Sequence, residues 1–493
     1  MLLLGIDIGT SFIKTSVVDV DTQQPLASTQ YPETETPITS LRPGWAEQSP
    51  EMWWEHTVKA IQKLNDTNKF NPKDIIAIGI SYQMHGLVIV DKMQKVLRDS
   101  IIWCDSRAIK IGDKALDEIG EGVCSFSLLN SPGNFTASKL AWVKENEPDI
   151  YKQIDKIMLP GDFISMKLTG ETTTTASALS EGIFWDFKND QISEVVMKYF
   201  GFESSVIPEV KPLFSSHGKL LQGIAKQLYL RENIPVTYKA GDQPNNALSL
   251  NVLQPGEVAA NAGTSGVIYA VTDHLFSDKF SRVNSFIHVN HQSENRRIGV
   301  LLCINGAAIM NSWIKKICSG GNLSYKEMDV AAAKVPPGSE GLWVLPFGNG
   351  SERMFQNKII GAHISKIDFN KHSQAHIFRA VQEGIAFAFR YGMDIMRENG
   401  LHPTIIRAGK ANLFLSDVFI QSFVNATGVA VELYDNDGSV GAALGAGIGI
   451  GRYQSYDDAY TNFKPLEKFE PSSVVLYDEL YKEWKKELIK YLN

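Results

Sequence analysis

The stretch from residue 239 to residue 266 decides the fold prediction: it reads Lys-Ala-Gly-Asp-Gln-Pro-Asn-Asn at 239–246 and Asn-Ala-Gly-Thr-Ser-Gly at 261–266. The second turn lies between two apolar runs that contain β-branched residues, which is typical of a β-hairpin. A glycine turn of this kind exposes backbone N–H groups, and the adjacent hydroxyls add donors that suit phosphate oxygens. The stretch therefore predicts a phosphate-binding hairpin that follows an acidic residue, Asp242, along the chain.

The start of the chain has the same pattern. Gly9-Thr10-Ser11 lies between the apolar run Leu2–Ile8 and a second apolar run at residues 13–20. Nearly continuous apolar strands are expected to be buried on both faces. Two such hairpins, one near the start of each half, predict a duplicated α/β fold that holds phosphate between its halves.

The chain has 493 residues, which is too long for one compact core. We expect two large domains, residues 1–247 and 248–493. A hydrophobic fraction of 44% and a charged fraction of 21% are ordinary for a globular protein. The net charge of −7, with no compensating basic stretch, argues against a nucleic-acid partner.

The N-terminus predicts a first strand rather than a signal peptide, since it has no basic residues and reaches Asp7 at once. No apolar run has transmembrane length, so no membrane partner is expected. Four cysteines lack Cys-x-x-Cys spacing, which favours reduced thiols and a cytoplasmic location.

Asp7 interrupts the first strand just before its turn. A carboxylate in a buried strand is costly unless it is paired or bound to a cation. It therefore either caps the turn or binds Mg²⁺, directly or through water. Lys14, beyond the turn, is either a phosphate contact or a surface lysine, and the residues alone leave both pairs of alternatives open.

Two further apolar runs end in polar residues, where site residues of α/β proteins are found. Residues 75–81 are followed by Tyr82-Gln83-Met84-His85-Gly86. A single histidine is more often structural, but this cluster favours a site. Ile101-Ile102-Trp103 predicts a third strand, followed by Cys104-Asp105-Ser106-Arg107. Asp105 and Arg107 form either a weak surface ion pair or a polar pair that binds a polyol.

Near the C-terminus, residues 404–412 predict a strand, a glycine loop and a helix, which can present a helix N-terminus to adenosine or phosphate. Residues 440–447 predict a helix of small residues, with close packing and ligand contact both open. The sequence contains no P-loop, no dinucleotide-binding Gly-x-Gly-x-x-Gly after the first strand and no His-Glu-x-x-His.

Taken together, these motifs resemble those of the FGGY carbohydrate kinases over nearly the whole chain, and within the family they are most similar to those of the xylulokinases. The matching segments are residues 5–11, 83–86, 103–107, 241–242, 263–266, 346–353, 408–412 and 441–445. The chain departs from the family pattern at Cys104 and Ser106, at Lys239-Ala240 before the acid, at Gln243-Pro244 after it, and at Ala408 and Lys410.

The resemblance implies an α/β fold of two actin-like (ribonuclease H-like) domains with a catalytic cleft between them, ATP mainly on the second and sugar mainly on the first. Asp242 would be the catalytic base, and Asp7 and Asp242 would bind Mg²⁺. The sugar-binding residues it implies are Gln83, Met84, His85, Trp103, Asp105, Arg107 and Asn245. The ATP-binding residues it implies are Gly9, Thr10, Ser11, Lys14, Gly263, Thr264, Ser265, Gly409, Lys410 and Asn412.

The resemblance also implies the substrate, D-xylulose phosphorylated at its 5-hydroxyl, with another ketose or polyol such as sedoheptulose or ribulose as the alternative. Two other classes of protein stay open. A non-catalytic sensor would be favoured by loss of the acid at 242, which is present. An actin-like or chaperone-like ATPase has no use for a polyol site, and it would release ADP without a ketose. The oligomeric state is also open, and a homodimer is one alternative.

Overall fold

The computed structural model describes residues 1–320 and 322–492 and divides the chain into two compact units. The first unit consists of Met1–Asn251, Ser285–Ile298 and Asp437–Phe463, and the second of Val252–Asn284, Gly299–Asn436 and Lys464–Asn493. Two segments from the second half of the chain thus belong to the first unit. The continuous division into residues 1–247 and 248–493 stays a prediction.

The strands are β1 Leu2–Ile8, β2 Ile13–Asp19, β3 Pro25–Tyr31, β4 Glu47–Gln48, β5 Ile75–Tyr82, β6 Val88–Val90, β7 Ser100–Ile101, β8 Lys156–Met158, β9 Thr173–Thr174, β10 Trp185–Asp186, β11 Gln191–Ile192, β12 Glu209–Val210, β13 Val236–Gly241, β14 Glu257–Ala262, β15 Gly266–Thr272, β16 Asn284–Ile287, β17 Ile298–Ile304, β18 Trp343–Phe347, β19 Gly361–Ser365, β20 Ile405–Gly409, β21 Val431–Tyr434 and β22 Glu467–Phe469.

The α-helices are α1 Pro50–Asn65, α2 Ile109–Ile119, α3 Glu121–Val123, α4 Thr136–Asn146, α5 Pro148–Tyr151, α6 Pro160–Thr169, α7 Ala176–Glu181, α8 Glu194–Phe200, α9 Gln222–Gln227, α10 Asp242–Ser249, α11 Ala308–Ser319, α12 Tyr325–Ala332, α13 Gln374–Glu398, α14 Asp417–Thr427, α15 Gly438–Gly449 and α16 Val474–Leu492.

The sheet of the first unit has the strand order β13-β5-β1-β2-β3. The first three strands form an antiparallel meander, and β5 and β13 join it in parallel. The strands are nearly continuously buried, as the apolar runs predict. The ends of β1, β5 and β13 therefore meet at one edge, where their polar residues are brought together.

The second unit repeats this plan. Six strands of its sheet follow one another as β17-β15-β14-β20-β21-β22. The hairpin β14–β15 is antiparallel, and β20 and β21 add to it in parallel, as β5 and β13 do in the first unit. The predicted duplicated α/β fold is confirmed, and so are both predicted hairpins.

The predicted third strand at residues 101–103 is wrong in extent. Only Ser100–Ile101 is a strand, and it pairs with the short β4 rather than with the central sheet. The backbone turns at once, because the amide of Asp105 donates to the carbonyl of Ile102 at 3.2 Å. A run of three apolar residues forms too few backbone hydrogen bonds with neighbouring strands to stay extended where such a turn can form.

Glycines bring α15 against the first sheet. A Cβ on Gly5 of β1 would overlap the carbonyl oxygen of Ser439, and one on Gly79 of β5 would overlap that of Ala442. Close approach of a helix backbone to a strand backbone requires residues without side chains. Of the two alternatives left open for residues 440–447, the structure shows close packing.

Each unit has its own hydrophobic core, built around Trp53, Ile61 and Ile80 in the first and around Val381, Phe389 and Trp484 in the second. Among the described residues, no helix is both long enough and apolar enough to cross a membrane. The cytoplasmic location inferred from the sequence stays a prediction.

Candidate active site

The turn between β1 and β2 is the first part of the candidate site. Gly9 N donates to Phe12 O at 3.0 Å, which closes the turn. The Thr10 hydroxyl donates to Gln83 Oε1 at 3.1 Å and accepts a hydrogen bond from Trp103 Nε1 at 3.0 Å. Three predicted site residues, from three separate segments, are thus joined through one hydroxyl.

A buried glutamine that sequence reasoning missed supports this turn. Gln48 Nε2 donates to the carbonyl of Thr10 at 2.8 Å, and Gln48 Oε1 accepts from Gln83 Nε2 at 3.3 Å and from Trp53 Nε1 at 3.1 Å. Gln48 lies just before Ser49, the N-cap of α1. Its only signal in the sequence is a polar residue placed immediately ahead of a helix.

Asp7 lies at the end of β1, opposite Lys14 in the hairpin register. The Lys14 Nζ is 3.6 Å from an oxygen of Asp437, and both side chains are partly exposed. Burial raises the pKa of Asp7; a hydrogen bond from Ser81 opposes the shift and the negative charge of Asp437 adds to it. Asp437, the N-cap of α15, was not foreseen from the sequence.

Asp242 begins α10 directly after β13. Burial raises its pKa to about 7, and the negative charge of Asp7 adds to the shift, while hydrogen bonds from Gln243 lower it. One turn along, Asn245 Nδ2 donates to the carbonyl of Gly438 at 2.8 Å. Asp242 and Asn245 therefore lie with Asp7 at the edge where β1 and β13 end.

Two buried carboxylates, one of which raises the pKa of the other, are the kind of ligand pair that a divalent cation stabilises. A Cβ on Gly438 would lie only 2.6 Å from the Asp7 carboxylate. The backbone at position 438 can therefore approach Asp7 closely only because glycine has no side chain. In residues 1–320 and 322–492, no group of three or more His, Cys, Asp or Glu side chains is arranged to hold a metal ion. Magnesium binding by Asp7 and Asp242 stays a prediction.

His85 follows β5 with a left-handed backbone, φ 62°. Its ring packs edge-on against Phe135, with centroids 4.9 Å apart, and against Phe286 at 5.4 Å. Its Nδ1 lies 3.1 Å from the backbone carbonyl oxygen of Glu181. The preceding Met84 is buried, and a Cβ on Gly241 would lie 2.6 Å from its Cγ, so β13 needs glycine there.

Lys139 on α4 is a second residue that sequence reasoning missed. Its buried ammonium donates to the carbonyls of His85 at 2.8 Å and Ile102 at 3.0 Å. Burial lowers its pKa to about 7, opposed by the negative charge of Asp105. Lys139 therefore ties together the two polar segments that follow β5 and β7. A lysine within the apolar sequence around Leu140 and Val143 was the available signal.

Asp105 and Arg107 form a buried pair, so the alternative of a surface ion pair is wrong. The Arg107 Nη2 lies 2.7 Å and its Nε 2.9 Å from Asp105 Oδ2, which also accepts from the backbone N–H of Ala46 at 2.6 Å. The guanidinium also lies 2.6 Å from a Glu47 oxygen and stacks over Trp45. These contacts hold the 45–47 loop, and a direct contact of the pair with sugar stays a prediction.

In the second unit, the turn Gly263-Thr264-Ser265 connects β14 and β15. The first amides of α11 bind its carbonyls, Ala308 N to Gly263 O at 2.9 Å and Ile309 N to Thr264 O at 3.3 Å. A Cβ on Gly263 would lie 3.5 Å from the Asn412 side-chain nitrogen. The structure therefore brings the predicted residues Gly263 and Asn412 together.

Gly409 ends β20, which is the parallel neighbour of β14. Lys410 continues the ladder through its N–H, which donates to Tyr434 O at 2.8 Å, and its Nζ forms a 2.6 Å ion pair with Glu467. The backbone of both residues follows the edge of the sheet, as expected. The Lys410 side chain, however, is directed to a carboxylate of β22.

Comparisons with known proteins agree with this architecture. The model of the FGGY family of carbohydrate kinases, N-terminal domain, matches residues 2–249, and that of the C-terminal domain matches residues 258–450. The xylulose kinase of Escherichia coli (strain K12) is 30% identical over 448 residues, 90% of this chain and 88% of that protein.

Solved structures extend the likeness to the fold. The xylulose kinase of Rhodospirillum rubrum superimposes with a TM-score of 0.88 at 23% identity, over 99% of both chains. The gluconate kinase of Lactobacillus acidophilus reaches 0.90 at 20% identity, over 100% of this chain and 98% of that one. Kinases named for different acceptors thus share the fold equally well. Since both family models and the curated relative span most of the sequence, the chain belongs to the FGGY family of carbohydrate kinases.

Proposed function

We propose that this carbohydrate kinase transfers the γ-phosphoryl group of ATP to the 5-hydroxyl of D-xylulose, giving D-xylulose 5-phosphate and ADP. The observation that carries the proposal is Asp242, a carboxylate with a near-neutral pKa beside the polar ends of β1 and β5. The 30% identity to a xylulose kinase supports the choice of acceptor.

Asp242 is the general base of this proposal. A base acts best when its pKa lies near the working pH, and burial together with Asp7 raises that of Asp242 to about 7. It accepts the proton of the attacking hydroxyl while the new O–P bond forms and the bond between the γ-phosphorus and ADP breaks. Most of the remaining catalysis is positioning and charge neutralisation.

The acceptor site lies on the first unit. An open-chain sugar offers several hydroxyls, so its site needs convergent donors and acceptors rather than a large apolar pocket. Gln83, His85, Trp103 and Asn245 carry such groups, and Met84 is buried against Gly241. Asp105 and Arg107 act on the acceptor through the loop that they hold.

Each hairpin turn is a candidate phosphate-binding turn in this proposal. Backbone N–H groups and hydroxyls at Gly9–Ser11 and Gly263–Ser265 suit phosphate oxygens. The backbone around Gly409 and the Asn412 side chain would approach the nucleotide. Asp7 and Asp242 would hold Mg²⁺, which when bound neutralises phosphate charge. Lys14 and Lys410, each next to a carboxylate, would add positive charge at the edges.

A coupled ADP-release assay tests the proposal with D-xylulose, D-ribulose, sedoheptulose and glycerol as acceptors. We expect the highest kcat/KM with D-xylulose and almost no ADP without an acceptor. Asp242→Asn should lower kcat strongly, and the matched control Asp66→Asn, which changes an exposed carboxylate at the end of α1, should leave kcat unchanged. A higher kcat/KM for another acceptor contradicts the choice of D-xylulose, and equal ADP release without any acceptor contradicts sugar phosphorylation.

A further inference from the structure

Glu181 is the last residue of α7, and no motif of the sequence singles it out. Its side chain is 2% exposed, and neither carboxyl oxygen reaches normal hydrogen-bond geometry with a donor. A Cβ on Gly241 would lie 3.3 Å from Glu181 Oε2. The carboxyl group thus lies against the backbone that immediately precedes Asp242.

Glu181 also places two of its oxygen atoms near the ring of His85. The His85 Nδ1 is 3.1 Å from the Glu181 backbone oxygen and 3.7 Å from its Oε2. The backbone carbonyl oxygen can only accept a hydrogen bond, so the Nδ1 atom at 3.1 Å must carry the hydrogen. In a neutral imidazole the other nitrogen, Nε2, is then an acceptor.

Several ionisable groups surround the buried Glu181 carboxyl group. The titratable groups whose interactions reach it are Tyr82 on β5, Lys139 on α4, Asp162 on α6, His85 and Asp242. Burial raises the pKa of Glu181 well above the usual range; a hydrogen bond from Tyr82 opposes the shift, and the negative charges of Asp242 and Asp162 add to it. A buried carboxyl group without a complete set of partners is destabilising, and such groups are concentrated at functional sites.

We propose that Glu181 is a positioning residue for the acceptor site: its backbone oxygen and carboxyl group together hold His85 in the tautomer with hydrogen on Nδ1, so that Nε2 accepts a hydrogen bond from an acceptor hydroxyl. The inference rests on the proposed function, because it takes His85 as an acceptor ligand. It adds a specificity element, since a fixed acceptor nitrogen favours a hydroxyl donor over a carbonyl at that position of the sugar.

A double-mutant cycle tests the role. Glu181→Leu keeps similar volume and removes the carboxyl group, and Glu181→Gln keeps the shape. In the wild-type background we expect Glu181→Leu to raise KM for the acceptor about tenfold, with kcat and KM for ATP changed little. In a His85→Ala background the same substitution should leave KM for the acceptor unchanged. An equal increase in both backgrounds, or none in the wild type, overturns the proposal.

Stability provides the matched control. Glu181→Gln should unfold at the same temperature as the wild type or a higher one, because it removes an incompletely paired buried carboxyl group. Asp162→Asn removes a nearby buried carboxylate that is paired with Lys239 at 2.7 Å and does not face His85. It should unfold earlier without a His85-dependent change in KM. A loss of stability in Glu181→Gln as large as in Asp162→Asn supports a structural role instead.

Nuclear magnetic resonance of ¹⁵N-histidine-labelled protein separates this inference from the proposed function. The His85 signals are those lost in His85→Ala, and they should show hydrogen on Nδ1 in the protein without substrate. That result supports the positioning even if D-xylulose is not the acceptor, and even if the Glu181 variants fold poorly. A His85 ring with hydrogen on Nε2 alone overturns it, whatever the assay shows.

Discussion

The indole N–H of Trp103 donates a 3.0 Å hydrogen bond to the hydroxyl of Thr10, and the same hydroxyl donates to Gln83. The bond ties the segment after β7 to the turn between β1 and β2. Trp103 is 47% exposed, so this contact, rather than burial in a core, fixes its orientation. Because the Thr10 hydroxyl accepts a hydrogen bond from Trp103, its own proton is directed towards Gln83.

Trp103→Phe should keep the ring and lose the donor. One hydrogen bond contributes about 1 kcal/mol, so we expect kcat/KM for the acceptor to fall by about fivefold. Trp54→Phe, on α1 and away from the turn, is the control and should leave kcat/KM unchanged. Equal effects of the two substitutions would show that the Trp103–Thr10 bond has no part in turnover.

Asp242→Asn should lower kcat by roughly 10²- to 10⁴-fold, the usual contribution of a positioned base. Because the pKa of Asp242 is raised to about 7, kcat/KM of the wild type should rise with pH up to about 7 and then level off. Steady-state rates between pH 5.5 and 8.5 measure this. A pH profile that is flat through this range contradicts the assignment.

The buried Asp242 carboxylate should also lower the stability of the folded protein above pH 7. Because the pKa of Asp242 is raised from 3.8 to about 7 in the folded protein, the protonated carboxyl group favours folding; this stability is fully present below pH 3.8 and is lost as pH rises through about 7. At pH 8, Asp242→Asn should therefore melt a few degrees above the wild type, and the difference should shrink towards pH 4. Scanning calorimetry of both proteins at the two pH values checks the sign.

Lys139→Met should leave the carbonyls of His85 and Ile102 without their donor. We expect an increase in KM for the acceptor and a loss of stability of about 1–3 kcal/mol, typical of buried groups left unpaired. Since burial lowers the pKa of Lys139 from 10.5 to about 7, its buried charge is disfavoured at neutral pH. The stability of wild type relative to Lys139→Met should therefore increase from pH 7 to pH 10, as denaturant titrations can show.

Gly5→Ala should lower the melting temperature of the protein by destabilising the first unit. The added Cβ would overlap the carbonyl oxygen of Ser439, and backbone on both sides leaves little room to adjust. Overpacking of this kind destabilises by about 1–3 kcal/mol or more. Gly122→Ala is the matched control, because a Cβ there meets nothing within 4 Å. Equal melting temperatures for the two variants would contradict the tight packing of α15.

Local patterns made much of the fold predictable. The hairpins at the two glycine turns and the buried strand at residues 75–81 depend on neighbouring residues. The strand predicted at 101–103 failed because a turn at Asp105 competed with a very short apolar run. Local propensity decides such short segments poorly.

The supporting residues of the site could not be predicted, because their partners are far away in the chain. His85 meets Glu181 across 96 positions and Lys139 across 54. Neither residue belongs to a motif, since each acts on backbone carbonyls or on a ring that other segments supply. The residues at strand ends, by contrast, are marked by the change from apolar to polar sequence.

The packing of α15 on β1 and β5 has a consequence for synthesis of the protein on the ribosome. All five strands of the first sheet are complete at Gly241, but the helix that covers their glycine-lined face begins at Gly438. At about 5–20 residues per second, the intervening chain takes on the order of ten seconds or more to emerge. During that interval the nascent first unit exposes an apolar sheet face, and a chaperone that shields it should determine the yield of native enzyme.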